Sequence, residues 1–286
     1  MKVLSLFDGI SCGQLALQRA NINVTEYYSS EIDKHAIKVT QANFPDTLQV
    51  GDVTEIHNVP FTVDLLLGGS PCQSFSSAGT QTGFDGASGL FYEYVRILNL
   101  VTPRYFLLEN VKMKKEWKDI ISEELGVEPI LINSSLVSAQ NRERYYWTNI
   151  PNVGQPLDLD INFRDISEDD YKFTAAMRGR RINPEQVSRS DYDLSIPIKQ
   201  YIEYRSDNKT NCLTTVSKDN VLVKYQGHSR SLASEVDYRY LTVNEMELLQ
   251  TLPIDYTNSI SNSQRVKAIG NSWTVDVIAH ILRNIE

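Results

Sequence analysis

The chain has 286 residues, 41% of them hydrophobic and 22% charged, which suits one or two globular domains and excludes collagen-like, disordered and disulfide-scaffold classes. No apolar run reaches the roughly 18 residues of a membrane span, and the N-terminus lacks the apolar stretch and cleavage site of a signal peptide, so a cytoplasmic protein with no membrane partner is expected. The 28 basic and 36 acidic residues leave a net charge of −8, which taken alone argues against a nucleic-acid partner.

From the N-terminus to about residue 150, short β-rich apolar runs alternate with helical patterns, as in βαβ units around a parallel sheet. The runs at 2–7, 24–29, 48–50, 63–67, 104–108, 129–136 and 144–150 are predicted strands. Between the fourth and fifth, Leu90, Phe91, Tyr94, Val95, Leu98 and Val101 recur at helical spacing, and 114–125 reads as an amphipathic helix ending at Gly126. The pattern predicts a doubly wound, mostly parallel α/β sheet with its ligands at the carboxyl ends of the strands.

The Pro/Gly/Asn-rich stretch 151–156 ends this pattern and closes a first domain at 1–156. Beyond it, 173–235 has weak periodicity and holds ten basic against seven acidic residues, leaving that segment at +3 and the remainder at −11. Arg178, Arg180 and Arg181 are its densest basic cluster. Thr242-Val243-Asn244-Glu245 is a capping box opening a helix that stops at Pro253. Ser272 is placed to cap a final helix with Val275, Ile278, Ala279, Leu282 and Ile285 on one face. A smaller second domain is therefore expected at 157–257, with 258–286 returning to the first.

The predicted strand ends carry the residues suited to chemistry. Phe7-Asp8-Gly9-Ile10-Ser11-Cys12-Gly13 joins the first strand to a helix expected near Gln14, and its glycines allow close backbone approach to a ligand. Glu31 and Asp33 follow the second strand, where such folds place an acid on a ribose hydroxyl, and Asp52 follows the third. The formal Gly-x-Ser-x-Gly match at Gly9–Gly13 comes too early in the chain for a hydrolase elbow. The fourth strand leads into Gly68-Gly69-Ser70-Pro71-Cys72-Gln73, which presents Cys72 as a nucleophile, followed by a polar, glycine-rich loop over 74–89. Glu109 closes the apolar fifth strand, a costly place for a carboxylate unless it is used or paired. Arg142 and Arg144 alternate before the last strand, so both guanidinium groups point one way. No Cys-x-x-Cys pair occurs among Cys12, Cys72 and Cys212, and His35, His57, His228 and His280 have no ligand spacing, so no metal is expected.

Together these residues resemble the DNA cytosine-5 methyltransferase family, in the same order and through almost the whole chain. Phe7-Asp8-Gly9-Ile10 with Gly13 is similar to the family's S-adenosylmethionine loop, Glu31 to its ribose-binding acid with Ile32 beside the adenine, and Asp52-Val53 to the adenine contact. Pro71-Cys72-Gln73 resembles the catalytic Pro-Cys-Gln, Glu109-Asn110-Val111 the Glu-Asn-Val triplet, and Gln140-Asn141-Arg142-Glu143-Arg144 the Gln-x-Arg-x-Arg element. Arg239-Tyr240-Leu241-Thr242 with Glu245 is similar to the support of the recognition region, and Gly270-Asn271-Ser272-Trp273-Thr274-Val275 to the last motif. Two departures stand out. Gly69-Ser70-Pro71-Cys72, Val137-Ser138-Ala139 and Ser272-Trp273 are closer to the de novo enzymes of animals, although no chromatin-reading extension is present, which points to a bacterial or phage member. Ser11-Cys12-Gly13 replaces the more usual glycine pair.

The resemblance implies a Rossmann-like sheet of seven strands with a target-recognition domain, and methyl transfer from S-adenosyl-L-methionine, with S-adenosyl-L-homocysteine as product. It implies Cys72, Glu109, Arg142 and Arg144 as catalytic residues, and Phe7, Asp8, Gly9, Ile10, Glu31, Ile32, Asp52, Val53, Pro71, Leu90, Asn271, Ser272 and Trp273 as cofactor-binding ones. DNA contacts are expected at Gln73, Ser76, Arg178, Arg180, Arg181, Thr214, Thr215 and Arg239, with double-stranded DNA as partner and a cognate restriction endonuclease as a candidate second one. A zinc cytidine deaminase fails, because Phe75 stands where its second cysteine belongs and no histidine begins a His-x-Glu. An RNA cytosine-5 methyltransferase on the same scaffold and a catalytically silent DNA-binding regulator are the remaining alternatives.

Overall fold

A computed structural model describes residues 1–71, 89–181, 195–214 and 216–286. Seven strands, β1 (Lys2–Leu6), β2 (Glu26–Ser30), β3 (Leu48–Gln49), β4 (Leu65–Gly68), β5 (Tyr105–Val111), β6 (Ile130–Asn133) and β7 (Glu143–Thr148), form one sheet in the order β3-β2-β1-β4-β5-β7-β6. Only β7 runs antiparallel to its neighbours. Among the described residues, the α-helices are α1 (Cys12–Arg19), α2 (Lys34–Asn43), α3 (Phe91–Val101), α4 (Lys115–Leu125), α5 (Val243–Leu249), α6 (Asn262–Asn271) and α7 (Val275–Leu282).

The central strands are apolar because both faces of the sheet are covered. Successive side chains alternate between two cores. Val3, Leu65, Leu67 and Leu107 pack with Ala16 and Leu17 of α1 and with Val275, Ile278 and Ile281 of α7. Leu4, Leu6, Leu66, Phe106 and Leu108 pack on the other face with Phe91 and Tyr94 of α3 and Ile121 of α4. Each fully buried aliphatic side chain contributes roughly 2 kcal/mol, so the two cores hold the sheet edges in register. The chain leaves β1 and β4 in opposite directions, which makes their boundary the switch point. Leu6, Gly68 and Leu108 are aligned in the ladder, so the loops that follow β1, β4 and β5 emerge side by side.

The polar segment beyond residue 156 builds a second, antiparallel sheet that its weak periodicity did not announce. Strands β8 (Phe173–Arg180), β9 (Lys199–Tyr204), β10 (Val221–Val223), β11 (Arg230–Leu232) and β12 (Tyr238–Tyr240) lie in the order β11-β9-β8-β10-β12. Its own core is small, comprising Ala175, Met177, Ile202, Val221 and Val223. Leu222, between the last two, points the opposite way into the first core, together with Leu213 and Phe163. Burial on both faces of β10 joins the second sheet to the larger body.

Several local expectations need correction. The first helix starts at Cys12 rather than near Gln14. Ser272 does not cap α7; its hydroxyl donates back to the Ile269 carbonyl at 2.8 Å and closes α6, and Thr274 occupies the cap position of α7. Helix α6 itself was not predicted, because only Arg265 and Ile269 of its ten residues are buried and no apolar stripe forms. The capping box at Thr242 and Glu245 is present with both bonds.

Candidate active site

The loop after β1 is wound through three left-handed residues, Phe7, Gly9 and Ser11, with φ of 55°, 59° and 58°. Gly9 adopts this conformation freely, whereas Phe7 and Ser11 need their surroundings to hold it. Those surroundings centre on the buried Asp8 carboxylate. It accepts hydrogen bonds from Tyr27 Oη at 2.6 Å, from Ser29 Oγ at 2.9 Å and from the Ser11 hydroxyl. Burial pushes the Asp8 carboxyl above the ordinary carboxylate range, against the pull of those hydroxyls. Ser11 therefore substitutes for a glycine by tying its side chain to Asp8 and Thr40.

Glu31 is fixed at the end of β2 by three backbone N–H groups. Gly9 donates to its Oε2, and Ile32 and Asp33 donate to its Oε1, each at 2.8 Å. A carboxylate has about four acceptor positions, so capacity remains for a ligand hydroxyl. Asp33 instead caps α2 by accepting from the His35 amide, and forms an ion pair with Lys267 of α6 at 2.9 Å.

After β4, Asn110 Nδ2 donates to Ser70 Oγ at 3.0 Å, tying the turn that ends at Pro71 to the end of β5. Glu109 is paired, as its apolar strand requires. Its Oε1 meets Arg144 Nε at 2.9 Å, and its Oε2 accepts from Trp273 Nε1 at 3.1 Å. Gly69 passes so close that a Cβ there would sit 2.8 Å from Trp273 Nε1 and 3.3 Å from Glu109 Oε2.

Arg142 and Arg144 do share one side of their segment, but with different surroundings. Arg142 is buried and donates to the Ser272 carbonyl at 2.8 Å, to Cys212 Sγ at 3.2 Å and to the Gly270 carbonyl at 3.5 Å. It clamps the C-terminal segment instead of offering a free fork. Arg144 also donates to the Glu143 carbonyl at 2.9 Å and to Cys212 Sγ at 3.6 Å.

These groups open onto one cavity of about 410 Å³. Phe7, Asp8, Gly9, Ile10 and Glu31 line one side; Pro71, Glu109, Arg142 and Arg144 line another; Asn271, Ser272 and Trp273 close it. Cys72, Gln73, Ser76 and Thr215 lie outside the described residues. The remaining expected cofactor residues do not reach the lining. Ile32 is 72% exposed beside it, Asp52 accepts from the Thr54 amide and hydroxyl, Val53 is buried in the second core, and Leu90 precedes α3 and packs there too. Gln264, Lys267 and Ala268 form a further wall of the cavity from α6, a helix that no apolar stripe in the sequence signals.

The arginines expected to meet DNA are engaged internally. Arg239 bonds both Asp169 oxygens at 2.8 Å and both Glu245 oxygens at 2.7 and 2.8 Å, so its donors are directed inward. Arg178 pairs with Asp219 at 2.5 Å, Arg180 pairs with Glu203 at 2.6 Å, and Arg181 donates to the Ile196 carbonyl. Thr214 Oγ1 bonds Asp219 Oδ2 at 2.7 Å and sits beside Gly270, near the cavity mouth. Lys209 is likewise spent on the carbonyls of Ser135, Ser138 and Ile161.

A cavity at the switch point of a doubly wound sheet, with a carboxylate and an arginine paired at its floor, defines an α/β enzyme with its chemistry at the strand ends. The model of the family "C-5 cytosine-specific DNA methylase" matches residues 1–172 and 160–286, and the chain belongs to that family. It is 32% identical over 309 residues to the type II methyltransferase M1.ScrFI of Lactococcus lactis subsp. cremoris, covering 97% of this chain and 76% of that one. It is 29% identical over 316 residues to the type II methyltransferase M.HpaII of Haemophilus parainfluenzae, covering 96% and 86%. The fold matches that of the Entamoeba histolytica methyltransferase EhMeth with a TM-score of 0.70 at 18% identity, over 99% of this chain and 97% of that one.

Proposed function

We propose that the protein transfers a methyl group from S-adenosyl-L-methionine to carbon 5 of a cytosine flipped out of duplex DNA. One observation carries this reading: Glu109 with Arg144, and the turn ending at Pro71, share a single cavity with the Phe7–Ile10 loop and Glu31. The residues fit the cofactor. The volume lies in the range of small-molecule sites, Glu31 keeps acceptor capacity for ribose hydroxyls, and Phe7, Ile10, Ala36 and Trp273 supply apolar walls.

Cytosine carbon 5 is a weak nucleophile, so it must first be activated. The Cys72 thiolate adds to carbon 6, while Glu109 shares a proton with ring nitrogen 3 and holds the exocyclic amine. Arg144 has five N–H donors and spends three on Glu109, Glu143 and Cys212, leaving two for the base carbonyl oxygen. When bound, S-adenosyl-L-methionine supplies the methyl group that carbon 5 takes up, and it leaves as S-adenosyl-L-homocysteine. Loss of the carbon 5 proton to a base then expels Cys72 by elimination. A base inside a duplex cannot reach the cavity, so the target must leave the stack, and 157–257 is the segment assigned to choosing it. A cognate restriction endonuclease would share that target.

Expression in a host lacking cytosine methylation, followed by bisulfite sequencing of its genome, tests the reading. Methylation at one short motif, lost in Cys72→Ser, is expected. Unmethylated DNA together with methyl labelling of RNA by the purified protein would overturn it in favour of an RNA substrate. DNA binding without labelling of either would leave a regulator.

A further inference from the structure

Cys212 plays no part in the mechanism above, yet its sulfur lies against both arginines of the site. Arg142 Nη1 is 3.2 Å and Arg144 Nη2 is 3.6 Å from Sγ. The surrounding backbone aims the side chain there. Thr210 N donates to the Ala139 carbonyl at 2.8 Å, Asn141 N donates to the Thr210 carbonyl at 2.9 Å, and buried Gln140 accepts from the Leu213 amide at 2.7 Å. Asn220 secures the other side of the loop through the Asn211 amide at 2.8 Å. We propose that Cys212 is a positioning residue for the reaction, whose sulfur accepts from both guanidinium groups and so holds Arg144 against Glu109 while sharing Arg142 with the C-terminal segment. The proposal rests on the methyltransferase reading for its effect on catalysis, and on geometry alone for the contact.

The charges around the sulfur support this assignment. Arg142 and Arg144 face it from one segment, and Glu109 stands behind Arg144 on β5. Tyr146 also lies behind Arg144, and burial pushes its hydroxyl well above the ordinary range, so it carries no competing charge. Asp219, in the loop that follows Cys212, is turned to Arg178 and Thr214. Gly270 and Ser272 present only carbonyl groups to Arg142. Although burial opposes ionisation of the thiol, the two guanidinium groups outweigh it and hold Cys212 below the ordinary thiol value. Cys12 behaves oppositely, with burial pushing it up to about 12, so the two thiols are separable by pH.

The test has two readouts. In Cys72→Ser protein, the pH dependence of iodoacetamide labelling at Cys212, followed by peptide mass analysis, should have its midpoint below that of free cysteine. The midpoint should rise in Arg144→Gln, and Arg142→Lys provides a second variant if the first does not fold. In otherwise wild-type protein, Cys212→Ala should lower kcat roughly tenfold with little change in KM for DNA, and Cys212→Ser should recover only part of the loss. A labelling midpoint equal to that of free cysteine overturns the proposal, as does a Cys212→Ala enzyme that turns over like wild type. Absence of methylation by the wild-type protein would overturn the functional reading instead, while the labelling experiment would still decide the contact.

Discussion

Trp273 Nε1 donates to Glu109 Oε2 at 3.1 Å, joining the C-terminal segment to the end of β5 across 164 residues of sequence. With Arg144 on the other oxygen, Glu109 is held from both sides, so its orientation is set by two elements far apart in the chain. Trp273→Phe keeps an aromatic side chain while removing the donor together with the five-membered ring that bears it. It should lower kcat about tenfold, the effect of losing one hydrogen bond to a charged group worth roughly 1.5 kcal/mol. Steady-state kinetics beside calorimetric cofactor binding would check this, and an unchanged kcat would sink the idea.

Gly69→Ala tests the same relationship by crowding. The added methyl would need the space now held by Trp273 Nε1 at 2.8 Å and Glu109 Oε2 at 3.3 Å. Displacing a reacting group by even a fraction of an ångström is expensive, so activity should fall by about a hundredfold. The site lies at a loop rather than in the core, and circular dichroism should report a folded protein. Retained activity would show that the indole and carboxylate move aside harmlessly.

Arg239 should matter for stability rather than for phosphate binding. Its loss leaves Glu245 unpaired at 0% side-chain exposure, while Arg239 itself is 19% exposed. Arg239→Ala should therefore destabilise by roughly 2 to 3 kcal/mol in urea titrations, somewhat below the cost for a fully buried pair. The salt dependence of DNA binding, measured on folded protein, should be unchanged, whereas a true phosphate contact would reduce its slope by about one. The pair also carries a pH signature. Arg239 holds Asp169 below the ordinary carboxylate range, so its stabilising contribution is present above that range and disappears as pH falls through the depressed value. Wild-type protein should lose stability in that acid window more steeply than the variant.

Asp8 predicts the reverse trend. Burial raises its carboxyl, so the folded state binds the proton more tightly than the unfolded chain. Its ionisation therefore costs stability as pH rises from the ordinary value through the raised one. Asp8→Asn removes that titration. Whatever the fixed effect of the substitution on the hydroxyls of Ser11, Tyr27 and Ser29, the melting temperature of the variant relative to wild type should increase with pH across that interval. A difference independent of pH would contradict the assignment.

Much of this molecule is local in origin and therefore readable from the chain. Apolar runs between helical patterns specify the central strands, and Gly9 and Pro71 fall just past strand ends because the strands before them are apolar, whereas β5 runs two residues beyond Glu109, to Val111, and so places that carboxylate within the sheet. The capping box at Thr242 is equally local, requiring only residues three apart. Helix α6 escaped because its neighbours, not an apolar stripe, hold it in place.

Charge was the property that sequence alone described least well. Counting residues separates a basic segment of +3 from a body of −11 and suggests a surface ready for DNA. The folded chain instead turns Arg178 and Arg180 onto carboxylates and Lys209 onto backbone carbonyls. A formal charge belongs to a residue, whereas a field at the surface depends on which opposite charge the fold brings within a few ångströms. For the same reason the composition shows which side chains are available for the cavity, and only tertiary packing decides that Trp273 and Arg144 hold Glu109 while Cys212 meets both arginines.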